Sequence, residues 1–478
     1  MNRSIHWYDY ITHNIYWTGL TSLSQATTPL IIPILVQKFV GDYEQATYFG
    51  ILRLWTLMVA ILFQAVMGMF SDHNRSAWGR RRPFIVIGNT GIIIALILIG
   101  FSTNLEGIKG YWILFTITIF LMIAANTAHS ATQGIIPDLV PEKYRGRFSG
   151  YKALFEVPIP VIIVSLTIGK VISKGNIWGG IIILIAILTI TMTISLFIPE
   201  RKYTELRSSL KWQPVIRLFL MTVFFTLTII LMQNLVNIYI RNVIFSNYLI
   251  NMVMIGFVGL LAMFISALVG VSISMRIGLG KTYQEHKSYK WWVINRLTFL
   301  IGSTNLGSFF IYYLQNRLGY QNEEAAGPAS KLLMFVGVFI LVAALPGGFL
   351  VDKFGSKKFV AFSGLFAGIG TFIVLIAPNL NIIYVGGCII GTAIGLFYTS
   401  NWALGTSIIP DLEAGKYFGI SNLAGAGAGA IGAYIGGPIA DYITQINHHA
   451  NGIGYIVLFS IYGILFLASV LSIKKITI

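Results

Sequence analysis

The chain has 478 residues, 56% hydrophobic and only 10% charged, with 33 Lys and Arg against 17 Asp and Glu for a formal charge of +16. That is too little polar surface to cover a water-soluble globule of this length, so the chain belongs in a bilayer. The basic residues are scattered through short loops and never line one helix or strand, which argues for membrane topology and against nucleic acid. One cysteine, Cys388, excludes an intrachain disulfide and a Cys-based metal cluster.

The N-terminal MNRSIHWYDYITHN is polar and aromatic, and the apolar run behind it has spanning length and no small-residue cleavage site, so it reads as a retained first helix. Apolar runs then recur at 14–39, 48–70, 83–103, 111–137, 148–172 and 177–199, with two more at 215–240 and 251–276. Six others follow at 291–314, 330–351, 359–377, 382–409, 417–445 and 454–473. The pattern predicts an all-α polytopic membrane protein of about 14 transmembrane helices with both termini on one side.

Arg75, Arg80, Arg81, Arg82, Lys143, Arg145, Arg147, Arg201, Lys202, Arg207, Lys211, Lys281, Lys287, Lys290, Lys353, Lys357, Lys358, Lys474 and Lys475 fall on alternate loops or the C-terminal tail. That asymmetry places these loops and both termini in the cytoplasm of a multi-pass cell-membrane protein. No loop exceeds about 15 residues, too short for a soluble catalytic domain. MRIGLGKT has Met275 where a phosphate-binding loop needs its first glycine, and it follows a span instead of a strand. No enzyme, cofactor or metal is expected.

Self-similarity organises the chain. QGIIPDLVPEKYRGRFSG at 133–150 recurs as TSIIPDLEAGKYFGISN at 406–422, and GMFSD at 68–72 answers GGFLVD at 347–352. The offsets, 273 and 280 residues, define two parallel six-helix halves, 1–200 and 291–478, with a linker at 201–290 carrying two extra helices. Halves of this kind rock about a central site, which predicts a secondary active transporter with alternating access.

GMFSDHNRSAWGRRRPFIVIG then reads as a gate. Asp72, at the end of span two, can sit at the N-terminus of a helix in the other half, where unsatisfied N–H groups and the dipole favour an anion. Gly68 and Gly348 permit close helix approach, and AGAGAGAIGAYIGG at 424–437 supplies small residues for the facing helix. Arg80, Arg81 and Arg82 can pair with Asp138 or with lipid phosphate. Asp352 and Asp411 are the repeat copies of Asp72 and Asp138.

At these residues the chain resembles the major facilitator superfamily, whose motif after span two is glycine, three residues, aspartate, then glycine and basic residues. The second copy, Gly348 to Asp352 and on to Gly355, Lys357 and Lys358, fits compactly. The longer first copy, with GRRRPFI, resembles the glycoside-pentoside-hexuronide:cation symporters and in particular the sucrose:proton symporters, as do Ala125-Asn126 and Pro137-Asp138-Leu139. The resemblance implies the superfamily's fold and uptake of a sugar. Departures are Gln64 and Ala60, near the places of the sodium-binding carboxylates of the melibiose-permease branch, and Ile123 or a neighbour, where the plant sucrose carriers have an aspartate. The two inserted helices are also foreign to a twelve-helix symporter.

Few ionisable groups lie within spans, and such groups are usually functional. Glu156 and His129 lie at a matched depth of about 12 Å, and Lys152 is one turn from Glu156. This trio is the candidate for proton coupling, the alternative for Glu156 being a structural ion pair and for His129 simple packing. A sugar site wants amides and an aromatic platform: Gln25, Asn126, Gln133, Asn305 and Asn401 with His129, and Tyr398 or Trp402. The repeat sets Asn401 and Trp402 against Ala128 and His129, which predicts that both levels converge on a central cavity. Arg296 and Arg53 are expected to snorkel to the interfaces, and Gln233, Asn234 and Asn237 to bond between helices.

The resulting expectation is a monomeric, proton-coupled importer of a sugar, glycoside or similar small polar solute, in contact with membrane lipid and without nucleic acid. An exporter of amphipathic compounds is the alternative within transport. A non-transporting sensor or lipid-handling protein on the same fold is the alternative of another class.

Overall fold

The computed structural model describes residues 5–200, 212–242, 247–409, 414–446 and 452–477. Among them, 14 helical segments are long and apolar enough to cross a membrane. These are α1 (Trp7–Val40), α2 (Gln45–His73), α3 (Arg82–Ser102), α4 (Gly107–Leu139), α5 (Glu142–Ile172), α6 (Ile177–Ser195), α7 (Gln213–Asn242) and α8 (Tyr248–Leu279). They continue as α9 (Lys287–Leu318), α10 (Asn322–Phe354), α11 (Ser356–Ile376), α12 (Leu380–Thr406), α13 (Gly419–Ile446) and α14 (Ile453–Ile473). A helix satisfies its backbone groups internally, which is why an apolar chain in hydrocarbon takes this form throughout.

Two of the segments carry informative breaks. In α1 a π-helical turn at Thr27–Ile31 contains Pro29, whose ring cannot continue the ordinary hydrogen-bond ladder. In α5 the helix stops at Glu156 and restarts at Pro158 after Val157, which has φ −118° and ψ −70°. Pro158 supplies no N–H and disfavours helical geometry at the residue before it, so Glu156 ends a helix inside a span.

The chain divides into two compact units, one of Met1–Phe39 with Val59–Val215 and the other of Val40–Met58 with Ile216–Ile478. In the first unit α1 is the most enclosed helix, with 78% of its most apolar stretch buried against 33% for α4. Close approach is set by small residues: a Cβ on Gly88 of α3 would collide with Ala124 and Ala128 of α4.

In the second unit α9 is the centre, 83% buried in its apolar stretch against 22% for α10. The outer part of α2, residues 45–58, packs here against α13. A Cβ on Gly50 would strike the backbone of Ala433, and one on Gly437 the backbone of Ala46. The small-residue run of α13 therefore admits the Gly50 end of α2. A Cβ on Gly68 would meet only Ser130 Cβ at 3.8 Å, and one on Gly348 would meet nothing within 4 Å.

The inserted pair joins this second unit. Phe225 of α7, 1% exposed, fills the space left by Gly270 of α8 and Gly427 of α13. On its far side α7 exposes Ile216, Leu220, Phe224, Leu227, Leu231, Leu235 and Ile238, a helical stripe suited to lipid. Gln233 Nε2 donates to Asn237 Oδ1 along α7 at 2.9 Å, so this amide pair bonds within its helix and not between helices.

Gly395 of α12 lies where a Cβ would strike the carbonyl oxygen of Ile340 in α10. Gly395→Val is expected to cost about 1–3 kcal/mol, read as a lower thermal unfolding midpoint of the detergent-solubilised protein. Gly348→Ala, with open space around it, should leave the midpoint unchanged; equal effects would refute the packing assignment.

Candidate functional site

In the first unit a chain of contacts runs through the membrane interior. Lys152 Nζ stands 3.5 Å from Glu156 Oε2, the two side chains 28% and 37% exposed. The same ammonium lies 4.1 Å from the centre of the Trp17 ring, an attraction of about 1–2 kcal/mol. Trp17 meets His129 edge to face at 5.1 Å. His129 Nδ1 is 3.1 Å from Gln64 Nε2, which also donates to Gln133 Oε1 at 3.3 Å. No hydrogen bond or ion pair among the described residues joins Glu156 to His129 directly; Lys152 and Trp17 connect them.

The helix spacing explains the alignment. On α4, Asn126, His129 and Gln133 recur at i, i+3 and i+7 on one incompletely buried face; the amide of Asn126 donates to Met122 O at 2.8 Å. On α1, the only residues between Tyr16 and Val36 that are not buried are Thr21, Ser24, Gln25 and Thr28, which share the face of Trp17. This polar stripe on an otherwise enclosed helix holds Gln25, and it carries the signal that identifies Trp17: a spanning segment, TGLTSLSQATT, too rich in hydroxyls and amides for lipid.

The second unit repeats the device. Between Trp292 and Gln315 of α9 only Arg296, Ser303, Thr304 and Gly307 are not buried. Ser303, Thr304 and Gly307 stand 279 residues after Ser24, Gln25 and Thr28, within the range of the repeat offsets. Tyr398 and Trp402 of α12 are 43% and 50% exposed, an open aromatic pair.

Asn305 and Asn401, by contrast, are fully buried. Asn401 donates to Asn295 Oδ1 at 3.2 Å and accepts from Arg296 Nη1 at 3.1 Å, and Asn305 donates to Ile301 O and Ala428 O. Both amides tie helices together, and each also bonds a residue of the polar stripe, Asn401 to Arg296 and Asn305 to Thr304 Oγ1. Arg296 is held by Asn401 beside the Trp292 ring at 6.0 Å, so it is fixed within the bundle and does not snorkel.

The charged motif after α2 forms a closed network in the first unit. Asp138 receives both Arg80 and Arg81, the latter at 2.7 Å from Nη2 and 2.8 Å from Nε. Arg81 also meets Asp72 at 2.5 Å and donates to Ser71 Oγ at 2.9 Å. Arg82 donates to the Ile198 carbonyl. Glu200, which sequence reasoning missed, accepts the backbone N–H groups of Arg81 and Arg82 at 2.7 and 3.1 Å. Its carboxylate fills the place where a side chain on Gly79, at φ +112°, would stand. In the second copy Asp352 is exposed and makes no ion pair among the described residues, and Asp411 lies outside them.

In the second unit, Asp441 of α13 caps the first turn of α2. Its carboxylate oxygens accept Ala46 N–H at 3.2 Å and Thr47 N–H at 2.7 Å, the anion-at-N-terminus arrangement that dipole and orphan donors favour. Gln45 Nε2 adds a bond to the Tyr455 hydroxyl at 3.2 Å.

A family model described as Major Facilitator Superfamily matches residues 18–316 and 293–475. Tetracycline resistance protein, class H, of Pasteurella multocida is 26% identical over 121 residues, 25% of this chain and 27% of that protein. Sucrose transport protein SUC3 of Arabidopsis thaliana is 42% identical over 53 residues, 11% of this chain and 9% of that protein. The chain thus matches well under half the length of these curated relatives. The crystal structure of a D-xylose-proton symporter superposes with TM-score 0.62 at 14% identity, covering 98% of this chain and 96% of the other; at that identity the likeness shows the fold.

The arginine network predicts a graded response. Asp138→Asn removes the carboxylate that two buried arginines share, 5% and 7% exposed, leaving Arg81 its pair with Asp72, and should cost about 2–3 kcal/mol. Glu200→Gln, which keeps an acceptor for the backbone donors, should cost about 1 kcal/mol. Thermal unfolding of the purified variants checks the order, and the reverse order would overturn the assignment of Asp138 as the hub.

Proposed function

The chain belongs to the major facilitator superfamily, a family of multi-pass membrane transporters, and from that premise we propose that it takes up a sugar-like small polar solute together with protons. The observation that carries this reading is the contact chain from Glu156 through Lys152, Trp17, His129 and Gln64 to Gln133. Amides and one large aromatic ring inside a bilayer suit a solute that presents hydroxyls and apolar ring faces. Gln25, Asn126 and the Tyr398–Trp402 pair extend the same chemistry along the polar faces of their helices.

Glu156 is the proton carrier in this reading. When its carboxylate is neutralised, Lys152 loses its counter-charge and keeps only the Trp17 ring, so proton binding changes the charge that the cluster offers to a solute. The helix break after Glu156 gives that change a place to act, because a discontinuous span is where transporters bind ions and solutes.

Gating uses both ends of α2. Asp441 on the first turn of α2, with the Gly50 and Gly437 contacts, closes the side opposite the basic loops. Gly68, Asp72, Arg80, Arg81, Arg82 and Asp138 serve the cytoplasmic side, with Gly348, Asp352 and Asp411 as their repeat copies. The match to a tetracycline resistance protein supports the second reading, export of amphipathic compounds; the polar stripes of α1 and α9 weigh against it.

The test is uptake of radiolabelled sucrose, maltose, myo-inositol and glucuronate into proteoliposomes, with and without an inward proton gradient. At least one solute should accumulate under the gradient, and Glu156→Gln should lower gradient-driven accumulation roughly tenfold or more while sparing solute exchange. No gradient-driven uptake of any of the four sinks the importer reading. Asp441→Asn should open the α2–α13 contact, read as faster thiol labelling of a single cysteine introduced at Thr47 in a Cys388→Ser background. Unchanged labelling would remove Asp441 from the gate.

A further inference from the structure

Arg53 is the side chain that the membrane reading leaves unexplained. It lies in α2, on the part that packs in the second unit. A Cβ built on Gly429 of α13 would stand 2.8 Å from Leu57 Cδ1, 3.3 Å from Arg53 Nη2 and 3.8 Å from Thr304 Oγ1. The guanidinium and the hydroxyl thus converge beside Gly429, with the Leu57 methyl packed against the same backbone. Gly429 is ten residues from Gly419 and seventeen from Ile446, hence about 15 and 25 Å from the two ends of α13. The guanidinium is deep in the membrane, and snorkelling does not account for it.

No described carboxylate pairs with it. Arg53 Nε is buried without a hydrogen-bond partner, and no ion pair involves the residue. Asp441, the acidic residue within α13, is occupied by the backbone of Ala46 and Thr47. Asn305, beside Thr304, is fully buried and turns its amide nitrogen to backbone carbonyls, so it brings no negative charge. A guanidinium stays charged in proteins and is retained within a membrane where it meets a counter-charge. No described residue supplies that counter-charge.

A second cation follows on the same face. Arg296 precedes Thr304 by eight residues on α9, about 12 Å along the axis. Its Nε is likewise buried without a partner, while Nη1 is held by Asn401. Arg53 and the stripe from Thr304 to Arg296 together offer two arginines and hydroxyls, and no described acid.

We propose that Arg53, with Thr304 beside it and Arg296 further along α9, binds a carboxylate or phosphate group on the transported solute. This rests on the transporter reading and narrows its substrate class from neutral sugars to anionic polar solutes. The planar fork of the guanidinium matches either group bidentately.

The test uses the full chain in proteoliposomes, with counterflow of radiolabelled glucuronate, glucose 6-phosphate and glucose, and thermal stabilisation of the purified protein by the same three probes. Glucuronate or glucose 6-phosphate should stabilise the protein and exchange, separating carboxylate from phosphate, and glucose should do neither. Arg53→Gln should weaken the anionic probe roughly tenfold or more, Thr304→Val a few-fold, and Arg53→Lys should restore part of the loss. Should Arg53→Gln fail to purify as a folded protein, Thr304→Val carries the same comparison. Glucose exchanging equally in wild type and Arg53→Gln overturns the anion site and leaves the transporter reading standing. Anion binding without exchange upholds the site and sinks the transporter reading. No stabilisation by either anionic probe overturns the site.

Discussion

Hydrocarbon offers no partner to a polar group, and the architecture follows from how each polar group meets that constraint. Backbone groups are satisfied within helices. Hydroxyls inside spans turn back on their own helix, as Thr118 does to Leu114 O and Thr371 to Ala367 O. Charges are paired where they are structural: Arg80 and Arg81 share Asp138, and Asp441 is covered by two backbone N–H groups. Against this background the incompletely satisfied groups stand out, and they gather on a few helix faces.

Those faces differ between the units. Both enclosed helices, α1 and α9, carry the Ser-containing stripe at the same repeat offset, yet the position that holds Trp17 in α1 holds Arg296 in α9. Duplication supplied two equal frames, and substitution made one aromatic and amide-rich and the other cationic. The two frames thus differ at a handful of positions, each visible because its helix is otherwise sealed.

Much of this was legible in the sequence, and the limits are physical. Apolar run lengths gave the 14 spans because hydrocarbon thickness sets helix length. The i, i+3, i+7 spacing put Asn126, His129 and Gln133 on one face because helical rotation is regular. Spacing does not say toward which neighbour a face turns. Asn305 and Asn401 therefore looked like solute ligands and are helix ties, and Arg53 and Arg296 looked like interface anchors and lie within the bundle. Nor does it identify partners distant in sequence: Glu200 reaches Arg81 and Arg82 across 119 and 118 residues, and Ala433 and Gly437 of α13 meet Gly50 and Ala46 of α2.

The seat of Phe225 has a further meaning for the inserted pair. A ring held by Gly270 on one side and Gly427 on the other fixes the rotation of α7 about its own axis. Inserting one residue within the helix ahead of Phe225 would swing the ring by about 100° and out of both recesses. The pair is therefore indexed to α13 like a keyed shaft, intolerant of a single-residue slip.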